Sequence, residues 1–294
     1  MTERYESFVF FGTGSIAVGA LNAMESFGTV PTLVVTSPDK PAGRGHELTP
    51  SPVAVWAAER NIETLKPEKL DAEFLSLLKA RSSGLAPAFA VVDYGKIIPK
   101  ALLDLPERGI LNMHPSLLPR LRGPSPIRSA ILKDEKQTGV SVMLLDEKMD
   151  HGPIIAQKKV AVPAWPPHGP ELDALLAAEG GKLLAEILPL WVHGDVEARE
   201  QNHDVATYTQ MFSKEDGLLD LVGDDPYGNL LKIRAFAGWP GTYTFIEKAG
   251  KRLRVQILDA HIENGKLALD TVKPEGKSTM PYANFAQGGI KFVL

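Results

Sequence analysis

Short apolar runs at residues 8–11, 32–36, 88–92, 110–113 and 140–144 are separated by segments of helical periodicity at 16–27, 52–60, 72–81 and 124–132, and no other feature limits the fold so strongly. Runs of four or five mostly apolar residues, broken only by Asn112 and Ser141 and bounded at 32–36 by threonines, fit strands covered on both faces. Strands that alternate with helices assemble into a parallel sheet with crossover helices. Ser51-Pro52 offers a cap and a first-turn proline to the helix that follows it. The order predicts an α/β, doubly wound, mostly parallel sheet of Rossmann-like type, in which ligands bind beyond the carboxyl ends of the strands.

The fourth run ends in Asn112-Met113-His114-Pro115-Ser116-Leu117-Leu118-Pro119, and Met149-Asp150-His151-Gly152 follows the fifth. Asn112 and His114 are two residues apart, so on a strand they share a face, and the prolines end that strand at the sheet rim. An Asn amide can donate to a developing oxyanion. A His can move a proton near neutral pH, and a carboxylate can orient that His and stabilise its charged form. The three together suit acyl transfer, although the bare Asn-x-His spacing also fits a turn-capping Asn beside a half-buried His. No Cys and no Gly-x-Ser-x-Gly elbow is present, so direct transfer fits better than a covalent thiol or serine intermediate.

Beyond residue 190 the pattern changes. Residues 191–212 are polar and charge-rich and read as a connection between a catalytic domain at 1–190 and a smaller domain at 213–294. Alternating runs at 242–247, 253–259, 266–270 and 290–293, separated by glycine-containing turns, predict a small β-barrel there. Charge is divided unequally. Residues 229–294 carry ten Lys/Arg against five Asp/Glu, a balance of +5, so the whole-chain net charge of −4 leaves −9 on residues 1–228. A basic barrel on an acidic domain suits a phosphate backbone, and an ordinary solvated face is the plainer alternative.

The string Asn112-x-His114-Pro115-Ser116-Leu117-Leu118-Pro119, with Arg122-Gly123, Pro126 and Asp150-x-Gly152, resembles the signature of the folate-dependent formyltransferases. The likeness extends to Gly12-Thr13, to the run from Asp39 to Gly45, to Tyr94-Gly95-Lys96-Ile97-Ile98-Pro99, and to Tyr208 with Ser213-Lys214-Glu215-Asp216. Within that family it is most similar to the methionyl-tRNA formyltransferases. The resemblance implies catalysis by Asn112, His114 and Asp150. It further implies a folate pocket at Tyr94, Lys96, Ile97, Ile98, Ser116, Leu117, Leu118 and Pro119, lined also by the loop at 146–152. Lys40 and Arg44 would contact the tRNA acceptor end, and an oligonucleotide-binding-like barrel carrying Lys251, Arg252 and Arg254 would contact its backbone. The implied donor is 10-formyltetrahydrofolate and the implied acceptor is initiator methionyl-tRNA. Asp93 departs from the small apolar residue expected before the tyrosine.

Several rival readings stay open on the residues alone. Gly12-Thr13-Gly14-Ser15-Ile16-Ala17 fits a dinucleotide fingerprint, but no acidic partner ends the second run, and close strand-to-helix packing accounts for the same glycines. A sugar-amine formyltransferase, a formyl-folate hydrolase and a non-catalytic RNA-binding module remain possible as functions. The seven histidines are scattered without metal-ligand spacing, so no metal is expected, and His151 is read as structural or solvent-facing. A polar start and the lack of a membrane-length apolar run lead us to expect a soluble, cytoplasmic monomer.

Overall fold

The computed structural model describes residues 7–42, 47–82, 86–248, 250–287 and 290–293. It forms two compact units. The first comprises Met1–Gly123, Gly139–Val160 and Ala174–Tyr208, and the second Pro124–Thr138, Ala161–Asp173 and Thr209–Leu294. Residues 124–138 and 161–173 therefore cluster with the C-terminal half, and 191–208 with the N-terminal one.

Strands β1 (Phe8–Gly12), β2 (Leu33–Val35), β3 (Lys40–Ala42), β4 (Glu47–Thr49), β5 (Glu63–Leu65), β6 (Ala88–Val92), β7 (Ile110–His114), β8 (Thr138–Leu144) and β9 (Ile154–Val160) belong to the N-terminal part of the chain. Seven of them form one sheet in the order β5-β2-β1-β6-β7-β8-β9. The pairs from β5 to β7 are parallel, and β8 runs antiparallel to β7. The apolar runs are unbroken because β1, β2 and β6 are buried along their whole length. Strand order reverses at β1 and β6, which leaves a crevice beyond their carboxyl ends.

Helices α1 (Ser15–Ser26), α2 (Pro52–Ala58) and α3 (Ala72–Arg81) follow sequence signals closely, and α4 (Lys100–Leu103) is one further short turn. Ser51 Oγ accepts from Ala54 N at 3.0 Å and Asp71 Oδ1 accepts from Phe74 N at 3.1 Å, so both caps satisfy first-turn donors. Helix α5 (Pro126–Leu132) packs on α7 (Pro226–Ala235) in the second unit.

The 25-residue helix α6 (Gly169–His193) escapes a propensity reading because it contains Gly180-Gly181 and Pro189. Tertiary packing explains the glycines. A Cβ on Gly180 would lie 2.6 Å from Met113 Sδ, and one on Gly181 would lie 2.3 Å from the Ala20 carbonyl oxygen. The helix is thus held close to the back of β7 and to α1.

In the second unit, β10 (Thr242–Lys248), β11 (Lys251–Glu263), β12 (Lys266–Pro274), β13 (Met280–Pro281) and β14 (Lys291–Val293) form an antiparallel sheet in the order β13-β12-β11-β10-β14, of the kind that builds a small barrel. A register shift near Asp259 bends β11. Ile246, Val255, Ile257 and Val272 pack with Leu230 and Ile233 of α7 and with Phe285 of α8 (Tyr282–Phe285).

Replacing Gly181 by Ala gains about 1 kcal/mol of helix propensity, yet it drives a methyl into a backbone carbonyl that cannot swing aside. Gly181→Ala is expected to lose a net ~1–3 kcal/mol in equilibrium denaturation. Gly180→Ala meets a flexible thioether instead and should change stability by less than about 1 kcal/mol.

Candidate active site

Strand β7 carries Asn112 half-buried between Val91 of β6 and Met143 of β8, with His114 on the same face one pair further. Met113 points the other way, onto α6. His114 is only 4% exposed, and its Nε2 lies 2.9 Å from the Leu121 carbonyl, which fixes that nitrogen as the N–H donor. Its Nδ1 faces Asp150 Oδ1 at 3.7 Å. The other carboxylate oxygen accepts from Gly123 N at 2.6 Å. At 3.7 Å the carboxylate faces Nδ1 without a direct hydrogen bond. No hydrogen bond ties the Asn112 amide to any other described side chain or backbone group, which leaves its donors available to a ligand.

Two backbone positions keep this geometry. Leu121 has φ 58° and Asp150 φ 47°, both in the left-handed region that non-glycine residues seldom adopt. A Cβ at Gly152 would lie 2.1 Å from the Leu144 carbonyl oxygen, so the return from the Asp150 loop to β9 needs a residue without a side chain.

The turn after His114 is braced from below. Ser141, fully buried on β8, donates Oγ to the Ser116 carbonyl at 2.6 Å and accepts from Leu118 N at 3.1 Å and Gln157 Nε2 at 2.9 Å. Ser116 donates its own hydroxyl to the Arg120 carbonyl at 2.7 Å, and Ser116 and Leu118 are both buried. Leu117 and Pro119 are half-buried. Ser116 and Leu118 thus shape the turn from within.

Tyr94 and Ile98 pack against the core under the rim, while Ile97 is 94% exposed. Burial pushes the Tyr94 hydroxyl up to about 12, and its oxygen is buried without a hydrogen-bond partner. Lys96 directs Nζ to the carbonyls of Pro67 and Glu68, and burial holds its ammonium below the ordinary lysine value. It anchors the rim loop to a neighbouring segment.

The glycines after β1 have separate reasons. A Cβ at Gly12 would meet the Val92 carbonyl at 2.8 Å and Ala17 Cβ at 2.8 Å, which is close strand-to-helix packing. At Gly14, the N-cap of α1, it would lie 2.3 Å from Asp93 Oδ2. The carboxylate of Asp93 occupies the helix N-terminus where a dinucleotide pyrophosphate would rest, so the fingerprint does not describe a nucleotide site.

A hydrogen-bond network centred on the buried Arg122 and Gln201 joins the site to residues 199–208. Arg122, 1% exposed, donates Nη2 to Gln201 Oε1 at 2.6 Å and to His203 Nδ1 at 2.9 Å, and Nη1 to the Tyr208 hydroxyl at 3.3 Å. Gln201 in turn donates Nε2 to the carbonyls of Asp150 at 3.0 Å and Gly152 at 2.7 Å. His151, half-buried, donates to Asp146 Oδ2 at 2.6 Å and stacks on the exposed His203 at 4.0 Å. The family likeness singled out Arg122 and Tyr208, whereas Gln201 and His203 lay in a polar stretch that resembled a linker.

In the second unit, strand alternation places Arg252 and Arg254 on one face with Tyr243 and Phe245 of β10, and Lys251 on the hairpin's other side. The three cations therefore do not act from one face. The guanidinium of Arg252 lies 4.1 Å from the Phe245 ring centre, and that of Arg254 lies 3.8 Å from Tyr243. A groove of about 230 Å³ beside them is lined by Arg254, Gln256, Lys273, Pro274, Glu275 and Gly276. Lys40 is exposed on β3, which pairs antiparallel with β4. Arg44 lies outside the described residues. Among the described residues no His, Asp or Glu cluster could hold a metal, and no helix is long and apolar enough to cross a membrane.

Ser141→Ala is expected to strand the Leu118 N–H, the Ser116 carbonyl and one Gln157 donor in a dry site. A loss of about 1–3 kcal/mol in chemical denaturation should accompany it.

The formyl transferase family pattern matches residues 6–186. The methionyl-tRNA formyltransferase of Chloroflexus aggregans is 44% identical over 249 residues, covering 84% of this chain and 78% of that one. That of Myxococcus xanthus is 38% identical over 303 residues, covering 95% and 94%. A solved N-formyltransferase from Helicobacter canadensis, in complex with folinic acid and dTDP-3-aminofucose, shares the fold at 17% identity with a TM-score of 0.61, covering 88% of each chain. With the family pattern over most of the chain and sequence likeness along nearly its whole length, the chain belongs to the formyl transferase family and, within it, to the methionyl-tRNA formyltransferases.

Proposed function

We propose that the chain transfers the formyl group of 10-formyltetrahydrofolate to the α-amine of methionine carried on initiator tRNA. The observation that carries this reading is the unengaged Asn112 amide beside a His114 held between Leu121 and Asp150. The neutral amine attacks the formyl carbon, a C–N bond forms, and the carbonyl electron pair moves to oxygen. Asn112 donates to that oxyanion, a contact that strengthens as charge develops. Collapse breaks the bond from the formyl carbon to folate N10. The proton lost by the amine reaches N10 by way of His114 and Asp150, with water as the connecting carrier. Juxtaposing two bound substrates supplies much of the acceleration.

The exposed Ile97 at the rim and the turn at Ser116 to Pro119 supply apolar surface and backbone groups for a pterin. Acceptor choice rests on the second unit. The fold is shared with an enzyme crystallised with an amino-sugar nucleotide, so the sheet itself does not discriminate. The Arg252 and Arg254 face, with aromatic rings beneath and Lys273 in the adjoining groove, suits a polyanion far larger than a sugar nucleotide. We assign tRNA backbone contact to these residues and acceptor-end contact to Lys40 and Arg44.

Incubation with 10-formyltetrahydrofolate should add one formyl mass to methionyl-tRNA and leave an amino-sugar nucleotide unchanged. Formylation of the sugar alone, or formate release without acceptor, would reassign the reaction. Asn112→Ala, His114→Ala and Asp150→Ala should each lower turnover on the order of a hundredfold or more with folate binding largely kept. Near-normal turnover in His114→Ala contradicts the assignment.

Joint replacement of Arg252 and Arg254 by Ala should weaken tRNA binding and reduce the slope of log affinity against log salt by up to about two. Filter binding across a salt series reads this directly, and an unchanged slope means that tRNA is held elsewhere.

A further inference from the structure

Residues 199–208 are strapped onto the catalytic end of the sheet. Ile154 and Arg199 exchange backbone hydrogen bonds at 2.8 Å in both directions, and Arg122 N donates to the Thr207 carbonyl at 2.8 Å. Thr207 Oγ1 accepts from Leu121 N at 2.8 Å, and Thr207 N donates to the Pro119 carbonyl at 3.3 Å. The strap therefore grips both residues that flank the imidazole of His114. Leu121, held through its N–H, presents its carbonyl to Nε2. Asp150, held through its carbonyl by Gln201, presents its carboxylate to Nδ1.

Gln201 is 5% exposed, and its amide is fully committed. Its nitrogen serves Asp150 and Gly152, and its oxygen serves the Arg122 guanidinium. Asp150 sits at φ 47°, a backbone state that relaxes unless neighbours hold it. The one side chain donating to its carbonyl among the described residues is that of Gln201.

We propose that Gln201 is a positioning residue for Asp150, and that the 199–208 strap belongs to the catalytic apparatus. This rests on the role assigned above to Asp150. Gln201 acts by fixing where the carboxylate stands relative to His114 Nδ1. A displacement of about 1 Å there is enough to lower the rate on the order of a hundredfold.

The test is a kinetic double-mutant cycle on the full chain with 10-formyltetrahydrofolate and methionyl-tRNA. Gln201→Met should lower kcat roughly ten- to hundredfold while both KM values stay within about threefold. Gln201→Glu retains an acceptor for Arg122 and removes the donors to Asp150 and Gly152. It should behave likewise, and it decides the matter if the Met variant does not fold. In an Asp150→Ala background, either change should cost less than about threefold more, because the group being positioned is gone. Losses that multiply with Asp150→Ala, or a rise in KM equal to the fall in kcat, overturn the proposal. If Asp150→Ala itself leaves kcat unchanged, the catalytic reading of Asp150 fails first, and that outcome is distinct.

Discussion

A guanidinium taken out of water destabilises a fold unless its donors find acceptors, and Arg122, at 1% exposure, meets that demand with Gln201, His203 and Tyr208. Satisfying this one buried cation draws residues 199–208 onto the rim of the sheet. The backbone of Arg122 is meanwhile fixed by Thr207, next to Leu121, whose carbonyl receives His114 Nε2. The imidazole, the Asp150 loop and the strap are consequently one hydrogen-bonded body. Loosening any of them leaves a buried polar group without a partner.

The sheet was legible because parallel central strands are apolar on both faces, and the runs at 8–11, 88–92 and 110–113 coincide with β1, β6 and β7. Caps at Ser51 and Asp71 follow local chemistry and also stand in the sequence. Helix α6 was hidden because Gly180 and Gly181 lower helix propensity locally in exchange for close contact with Met113 and Ala20, a tertiary reason that no window of sequence contains. Short β5 and β9 were missed likewise, since three residues at a sheet edge, or a run interrupted by Gln157-Lys158-Lys159, carry little apolar signal.

At the site, Asn112 and His114 were readable from period-two spacing, and Asp150 from its motif. Ser141, Gln157 and Gln201 were not, because a buried polar residue is recognised by partners brought from far along the chain. Ser141 reaches the turn at 116–118, and Gln201 reaches the loop at 150–152. Resemblance named the rim residues Lys96, Ser116 and Leu118. Their side chains support the rim by way of Pro67, Glu68, Arg120 and the buried turn.

Leu121 and Asp150 together place about 2–6 kcal/mol of unfavourable backbone conformation around a single imidazole. Hydrogen bonds that each contribute about 1 kcal/mol net must offset it. Five converge there: Thr207 on Leu121, Gly123 on the Asp150 carboxylate, Gln201 on the carbonyls of Asp150 and Gly152, and His114 on the Leu121 carbonyl. The two sums are comparable, so the rim has little stability to spare. A carboxylate held under such balance keeps its 3.7 Å distance from Nδ1 only while the strap stays in place. The physical consequence is that precision at the proposed proton path is supplied from outside β7, by side chains of a segment whose composition alone marks it as a connection.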